Sequence, residues 1–223
     1  MQDDRLTEIF LAQQIKKGRK ELENNFNNNF DIQEKTLSII VGGLEHANFN
    51  SFTTASIIWN ISGYLNLVSY DIKIIGRDLM FAEKDWQRKL YARQAYLLIY
   101  ESMNDFLELL GKPLRKAISE FADADIYRQK VQAIASQMNK FKAEHESTIK
   151  SVRHSAIGHR DKDMLTQLQA IQSISWLEAT GILSKYDAIV RELGVVCQQL
   201  INRTNDDLET KEGIRNWPGA EHS

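Results

Sequence analysis

Residues 125–152 read DIYRQKVQAIASQMNKFKAEHESTIKSV, and within them Tyr127, Val131, Ile134, Met138, Phe141, His145, Thr148 and Val152 recur at alternating steps of four and three. That spacing winds one seam of mostly apolar side chains along a helix for about seven turns. A seam of this kind is the pattern of antiparallel bundle packing. The rest of the chain agrees with it. Strand-like alternation is almost absent, and only two prolines, Pro113 and Pro218, interrupt 223 residues. The expected fold is all-α, an up-and-down antiparallel helical bundle.

Working outward from the seam, a helix is expected from about Glu83 to Leu110, closed by Gly111-Lys112-Pro113. It is apolar around much of its circumference, with one polar stripe of Gln87, Gln94, Glu101, Asp105 and Glu108 read as a solvated face. A short helix over Leu114 to Ala122 leads into the seam helix. Upstream, a helix from Ser51 or Thr53 carries Ile61, Leu65, Val68, Ile72 and Leu79 at helical steps. The first fifty residues are expected to hold two helices, Asp4 to Glu23 and Asp31 to Ala47. Between them Asn24-Asn25-Phe26-Asn27-Asn28-Asn29 reads as a loop, because asparagine competes for backbone hydrogen bonds. Gly42-Gly43 weakens the second of the two. Beyond the seam, Asp161 or Asp163 caps a short helix to Ala170, and a last helix runs from about Ser173 to Asn202. The expected organisation is an N-terminal helical extension over 1–50, a bundle over 51–203 and a flexible tail over 204–223.

Composition narrows the function classes. Hydrophobic residues make up 43% and charged residues 26%, as in an ordinary globular protein, and the formal charge of −2 supplies no global basic field for nucleic acid. The single cysteine, Cys197, has no intramolecular disulfide partner. With no secretory signal at Met1-Gln2-Asp3-Asp4, a reducing, cytoplasmic setting is expected. The longest apolar tract, Ala55 to Val68, is too short and too polar to span a bilayer, so no membrane partner is expected.

Candidate chemistry concentrates at Ser151-Val152-Arg153-His154-Ser155-Ala156-Ile157-Gly158-His159-Arg160-Asp161. On an unbroken helix the six-residue step from Arg153 to His159 turns the side chains about 120° apart and displaces them by about 9 Å. Gly158 lets the chain turn just before His159, so that the two can converge. Arginine forks onto phosphate, and histidine passes protons near neutral pH. Together they suit cleavage of a phosphodiester by its own 2′-hydroxyl.

Arg153-His154 followed at His159 resembles the Arg-x(4–6)-His signature of HEPN domains, in which the residue after the arginine is often Asn, Asp or His. The end of a long bundle helix, Ala156 upstream and Arg160-Asp161 downstream match the same setting, and the resemblance covers about Asp85 to Arg203. It is similar in flavour to abortive-infection-type and other stand-alone prokaryotic HEPN proteins. The resemblance implies a metal-independent endoribonuclease, often the toxin of a defence or toxin–antitoxin system, with RNA as substrate, a site built across a homodimer and a possible separate antitoxin chain. It implies Arg153, His159 and His154 as catalytic residues. Lys150, Arg160 and Glu101 are candidates for substrate binding, Glu101 also as a hydrogen-bond partner for Arg153. Some relatives are inactive binding modules, which leaves a catalytically silent HEPN-like module as the rival function.

Plainer roles exist for each residue. Arg153 can pair with Glu146, Lys150 and Arg153 both suit a helix C-terminus, and His159 can be a solvated turn residue. His145 lies on the apolar seam and fits a packed residue. A metal site from His145, His154 and His159 lacks suitable spacing and a carboxylate or cysteine partner, so no metal or other cofactor is expected. Cys197, in a packed helix, is not expected to be a nucleophile.

Overall fold

The computed structural model describes residues 2–153 and 164–212. Among the described residues there are seven helices and no strand: α1 (Gln2–Phe49), α2 (Thr53–Phe81), α3 (Asp85–Leu109), α4 (Lys112–Ile118), α5 (Ala124–Val152), α6 (Met164–Gln172) and α7 (Trp176–Glu212). The chain is an all-α helical bundle. It divides into two compact units, one of Met1–Asp31, Tyr70–Met103 and Lys140–Ala188, the other of Ile32–Ser69, Asn104–Asn139 and Ile189–Ser223.

In the first unit α3 buries Ala92, Tyr96, Ile99 and Met103, a stripe at steps of four and three, with Leu79, Ile149, Ala179 and Tyr186 also buried. Two hydrogen bonds satisfy polar groups in this core. The Trp176 indole N–H donates to the Leu79 carbonyl at 2.9 Å, and the Tyr186 and Ser102 hydroxyls meet at 2.8 Å. Burial of the ring raises the Tyr96 hydroxyl above its ordinary pKa, with the charge of Glu178 adding to the effect.

The Asn24–Asn29 stretch corrects the loop expected there, because α1 runs through it without a break. The cause is tertiary contact within the first unit. The Phe26 ring stands 6.2 Å from Phe30 and 6.0 Å edge-on from Phe81, while Phe30 packs 5.5 Å from Tyr70. Arg77 lies 5.2 Å over the Phe30 ring, and Asn29 turns its amide onto the Asn25 carbonyl one turn back. Two aromatic anchors at i and i+4 outweigh the modest helix penalty of exposed asparagines.

The second unit buries Ile58, Phe106, Leu110, Leu114, Ile118, Val131, Ile134, Met138, Leu193 and Leu200. Gly43 has a packing reason here: a Cβ on it would sit 2.6 Å from the Trp59 ring, so α1 and α2 approach closely at this point. Helix α1 ends where Ser51 takes φ 59, with the Phe52 N–H returning to the Ala47 carbonyl at 2.8 Å.

One further boundary moves, and one buried face shifts. Helix α7 continues to Glu212, past the expected start of a flexible tail, and Thr204 is 3% exposed with its hydroxyl on the Leu200 carbonyl. Along α5 the buried side drifts. Val131, Ile134, Met138 and Phe141 are buried as the seam predicts, but by the last turns Ile149 is buried while Thr148 is only half-buried. A repeat of 3.5 residues slips by about 20° per heptad on a straight helix of 3.6, which carries the core one residue onward.

Candidate functional site

Arg153 directly follows the last residue of α5 in the first unit. Its Nε and Nη2 each lie 3.0 Å from the same oxygen, Oε1 of Glu101, and its guanidinium carbon sits 4.5 Å over the Tyr100 ring. Helix α3 supplies both contacts because consecutive helical residues diverge by about 100°. The tyrosine thus meets a face of the arginine and the carboxylate meets its edge. The Arg153 side chain is 31% exposed and that of Glu101 52%. The guanidinium is therefore oriented by an ion pair and a cation–π contact yet still reachable from solvent. The contact with Glu101 takes the Nε/Nη2 edge of the guanidinium.

One turn back, Lys150 Nζ bonds Glu146 Oε1 at 2.8 Å. The Lys150 hydrogen bond holds the Glu146 carboxyl below its usual range, and the same bond raises Lys150. Glu146 thus pairs with Lys150, and Arg153 pairs with Glu101 rather than with Glu146. Of the residues read as candidates, the structure brings together Arg153 and Glu101, and places Lys150 three residues before the arginine on the same helix. His154, His159 and Arg160 lie outside the described residues. Tyr100 is a contact the sequence did not single out. The only available signal was its position beside Glu101, since nothing local marks a partner more than fifty residues away.

His145 is a packed residue. Its ring lies 4.8 Å from Phe141, its side chain is 13% exposed, and Nε2 is 3.2 Å from Glu144 Oε1 and 3.4 Å from Lys185 Nζ. Cys197 is buried in the second unit, where desolvation pushes its thiol up to about 12. A thiol so raised supplies no nucleophile near neutral pH. Among the described residues no three His, Cys, Asp or Glu side chains are grouped to hold a metal ion, and no helix is long and apolar enough to cross a membrane.

No family model, curated protein or solved structure matches the chain.

Proposed function

We propose that the chain is a metal-independent endoribonuclease of HEPN type, with Arg153 stabilising charge on the scissile phosphate and His159 transferring protons. In this reaction the 2′-hydroxyl of the substrate attacks the adjacent phosphorus and gives its proton to a base. The bond to the 5′-oxygen breaks, and that oxygen takes a proton as it leaves. The products are a 2′,3′-cyclic phosphate and a 5′-hydroxyl. The negative charge that grows on the non-bridging oxygens is the charge a guanidinium fork meets best. His154 supports the pair, and Lys150 and Arg160 contribute positive charge along the RNA backbone. The observation that carries the proposal is the solvent-reachable guanidinium at the end of α5, fixed along one edge by Glu101 and beneath by Tyr100.

A formal charge of −2 gives little long-range attraction for RNA, so a homodimer that brings two such arginines to one groove completes the proposal. A role as the toxin of a prokaryotic defence or toxin–antitoxin system, with a separate antitoxin chain, follows from the same resemblance. The rival is a catalytically silent HEPN-like binding module. One observation favours it: Glu101 already neutralises part of the Arg153 charge.

The test is cleavage of a mixed RNA substrate in EDTA by the parent chain, Arg153→Ala and His159→Ala, with folding checked by circular dichroism. Expected losses are about 10²–10³ for the arginine and about 10²–10⁴ for the histidine. A folded His159→Ala protein that cuts as well as the parent overturns the mechanism. RNA binding by the parent without cleavage selects the silent module.

A further inference from the structure

In the second unit, α1, α2 and α3 leave an open groove of about 500 Å³. Its walls are apolar side chains and its α3 side is acidic. On α1 the lining runs from Leu37 to Leu44 and on α2 from Asn60 to Leu67, so each wall extends for about 10 Å, two helical turns. At the floor α1 and α2 come close, since a Cβ on Gly63 would lie 3.3 Å from a methyl of Ile40. Val41 and Leu67 remain 46% and 47% exposed, so the apolar surface continues out of the groove onto its lips.

The charge is one-sided. Asp105 and Glu108, one turn apart on α3, both line the groove, and no Lys, Arg or His lines it. Among the described residues neither carboxylate is in an ion pair, and the Tyr64 hydroxyl donates to Asp105 and holds it on the rim. An apolar trough two turns long beside uncompensated carboxylates is complementary to one kind of surface. That surface is a short helix with apolar side chains at i, i+3 or i+4, and i+7, flanked by lysine or arginine.

We propose that this groove docks a basic amphipathic helix of a partner protein. The apolar side chains of that helix fill the trough over Leu37, Val41 and Leu67, and its flanking cations face Asp105 and Glu108. The match in length to two helical turns distinguishes such a helix from a small organic amine, which needs neither the second turn nor the exposed lips. The site is separate from the Arg153 residues and stands whether or not the chain cleaves RNA.

The probe is a synthetic amidated peptide of about 14 residues with a leucine stripe flanked by lysines, compared with the same stripe flanked by glutamates. Each is titrated into the full chain with its Ile, Leu and Val methyl groups labelled for NMR. The lysine peptide is expected to bind in the micromolar range at low salt, to shift the methyls of Leu37, Val41 and Leu67, and to bind at least about tenfold more tightly than the glutamate peptide. Glu108→Gln should weaken it about fivefold without changing the melting temperature. Val41→Lys, at an exposed position, should abolish it. Equal binding of the two peptides, shifts confined to other methyls, or no saturable binding up to about 1 mM overturns the proposal. Binding of benzylamine as tight as that of the peptide assigns the groove to a small amine instead. A parent dimer that Val41→Lys converts to monomer assigns it to a second copy.

Discussion

The guanidinium of Arg153 offers five N–H donors in one plane, and Glu101 engages two of its nitrogens through a single oxygen. That arrangement orients the arginine, and under the proposed function it also competes with a substrate phosphate for the guanidinium charge. Glu101→Gln keeps an oxygen acceptor and removes the competing charge. It should tighten RNA binding at low salt by about 1 kcal/mol, roughly fivefold, as read by filter binding or anisotropy. Weaker binding would show that the charge of Glu101 is needed rather than opposed. Arg153→Lys keeps the charge and loses the planar fork, so it should fail to restore cleavage to within about 10² of the parent. In the core, Tyr186→Phe deletes the hydroxyl that meets Ser102, while Ser102 keeps the Leu98 carbonyl. It should cost about 1 kcal/mol in denaturant unfolding. The pairing of Glu101 with Arg153 is only partly legible in the sequence, because Glu101 belongs to a stripe that reads as a solvated face and Glu146 offers Arg153 a nearer carboxylate. The fold gives Glu146 to Lys150 and Glu101 to the arginine. The stacking of Tyr100 is not legible, since a tyrosine beside that glutamate suits many packings equally.

At the scale of the element, α1 separates what pattern reveals from what packing decides. Its asparagine run has the composition of a loop, and propensity alone breaks the helix there. Phe26 and Phe30, with partners on α2 that lie far away in sequence, close the gap. Asn27 and Asn28 are exposed within that helix, so Asn27→Ala and Asn28→Ala should each stabilise by about 0.5 kcal/mol, seen as a higher melting temperature. A lower one would restore the loop. The adjacent glycines Gly42 and Gly43 look alike in the sequence and differ in the fold. Nothing lies within 4 Å of a Cβ on Gly42, whereas one on Gly43 meets Trp59 at 2.6 Å. Gly42→Ala should therefore stabilise by about 0.5–1 kcal/mol, and Gly43→Ala should destabilise by about 1–3 kcal/mol. Equal effects of the two would contradict the close packing of α1 on α2. The seam of α5 is legible because seven turns of periodicity average out local exceptions. Its drift from Thr148 to Ile149 needs only the mismatch between 3.5 and 3.6 residues per turn.

For the molecule as a whole, pH dependence follows from its surface carboxylates. A hydrogen bond from Arg203 holds Asp123 below its usual range, one from Lys185 does the same for Glu144, and one from Lys150 for Glu146. Each folded pKa lies below the unfolded value. Their stabilisation is present above the ordinary carboxylate range near about 4 and is lost as pH falls through the lowered values. Asp71 acts in the opposite sense, since burial raises its carboxyl and favours the fold once it is protonated. With three lowered carboxylates against one raised, the melting temperature should be flat near neutrality and fall below about pH 4. A melting temperature that rises there would mean the burial of Asp71 outweighs the three ion pairs.

The all-α class is legible at this scale from sparse proline and long seams. The proposed chemistry rests, in the sequence, only on the Arg153 to His159 spacing and the family that spacing resembles. Analysis of the ends left by RNA incubated with the full chain in EDTA tests that chemistry most directly. Fragments carrying 2′,3′-cyclic phosphate and 5′-hydroxyl ends, absent with Arg153→Ala, are the expected result. Fragments with 3′-hydroxyl and 5′-phosphate ends, or cutting that EDTA abolishes, would contradict it.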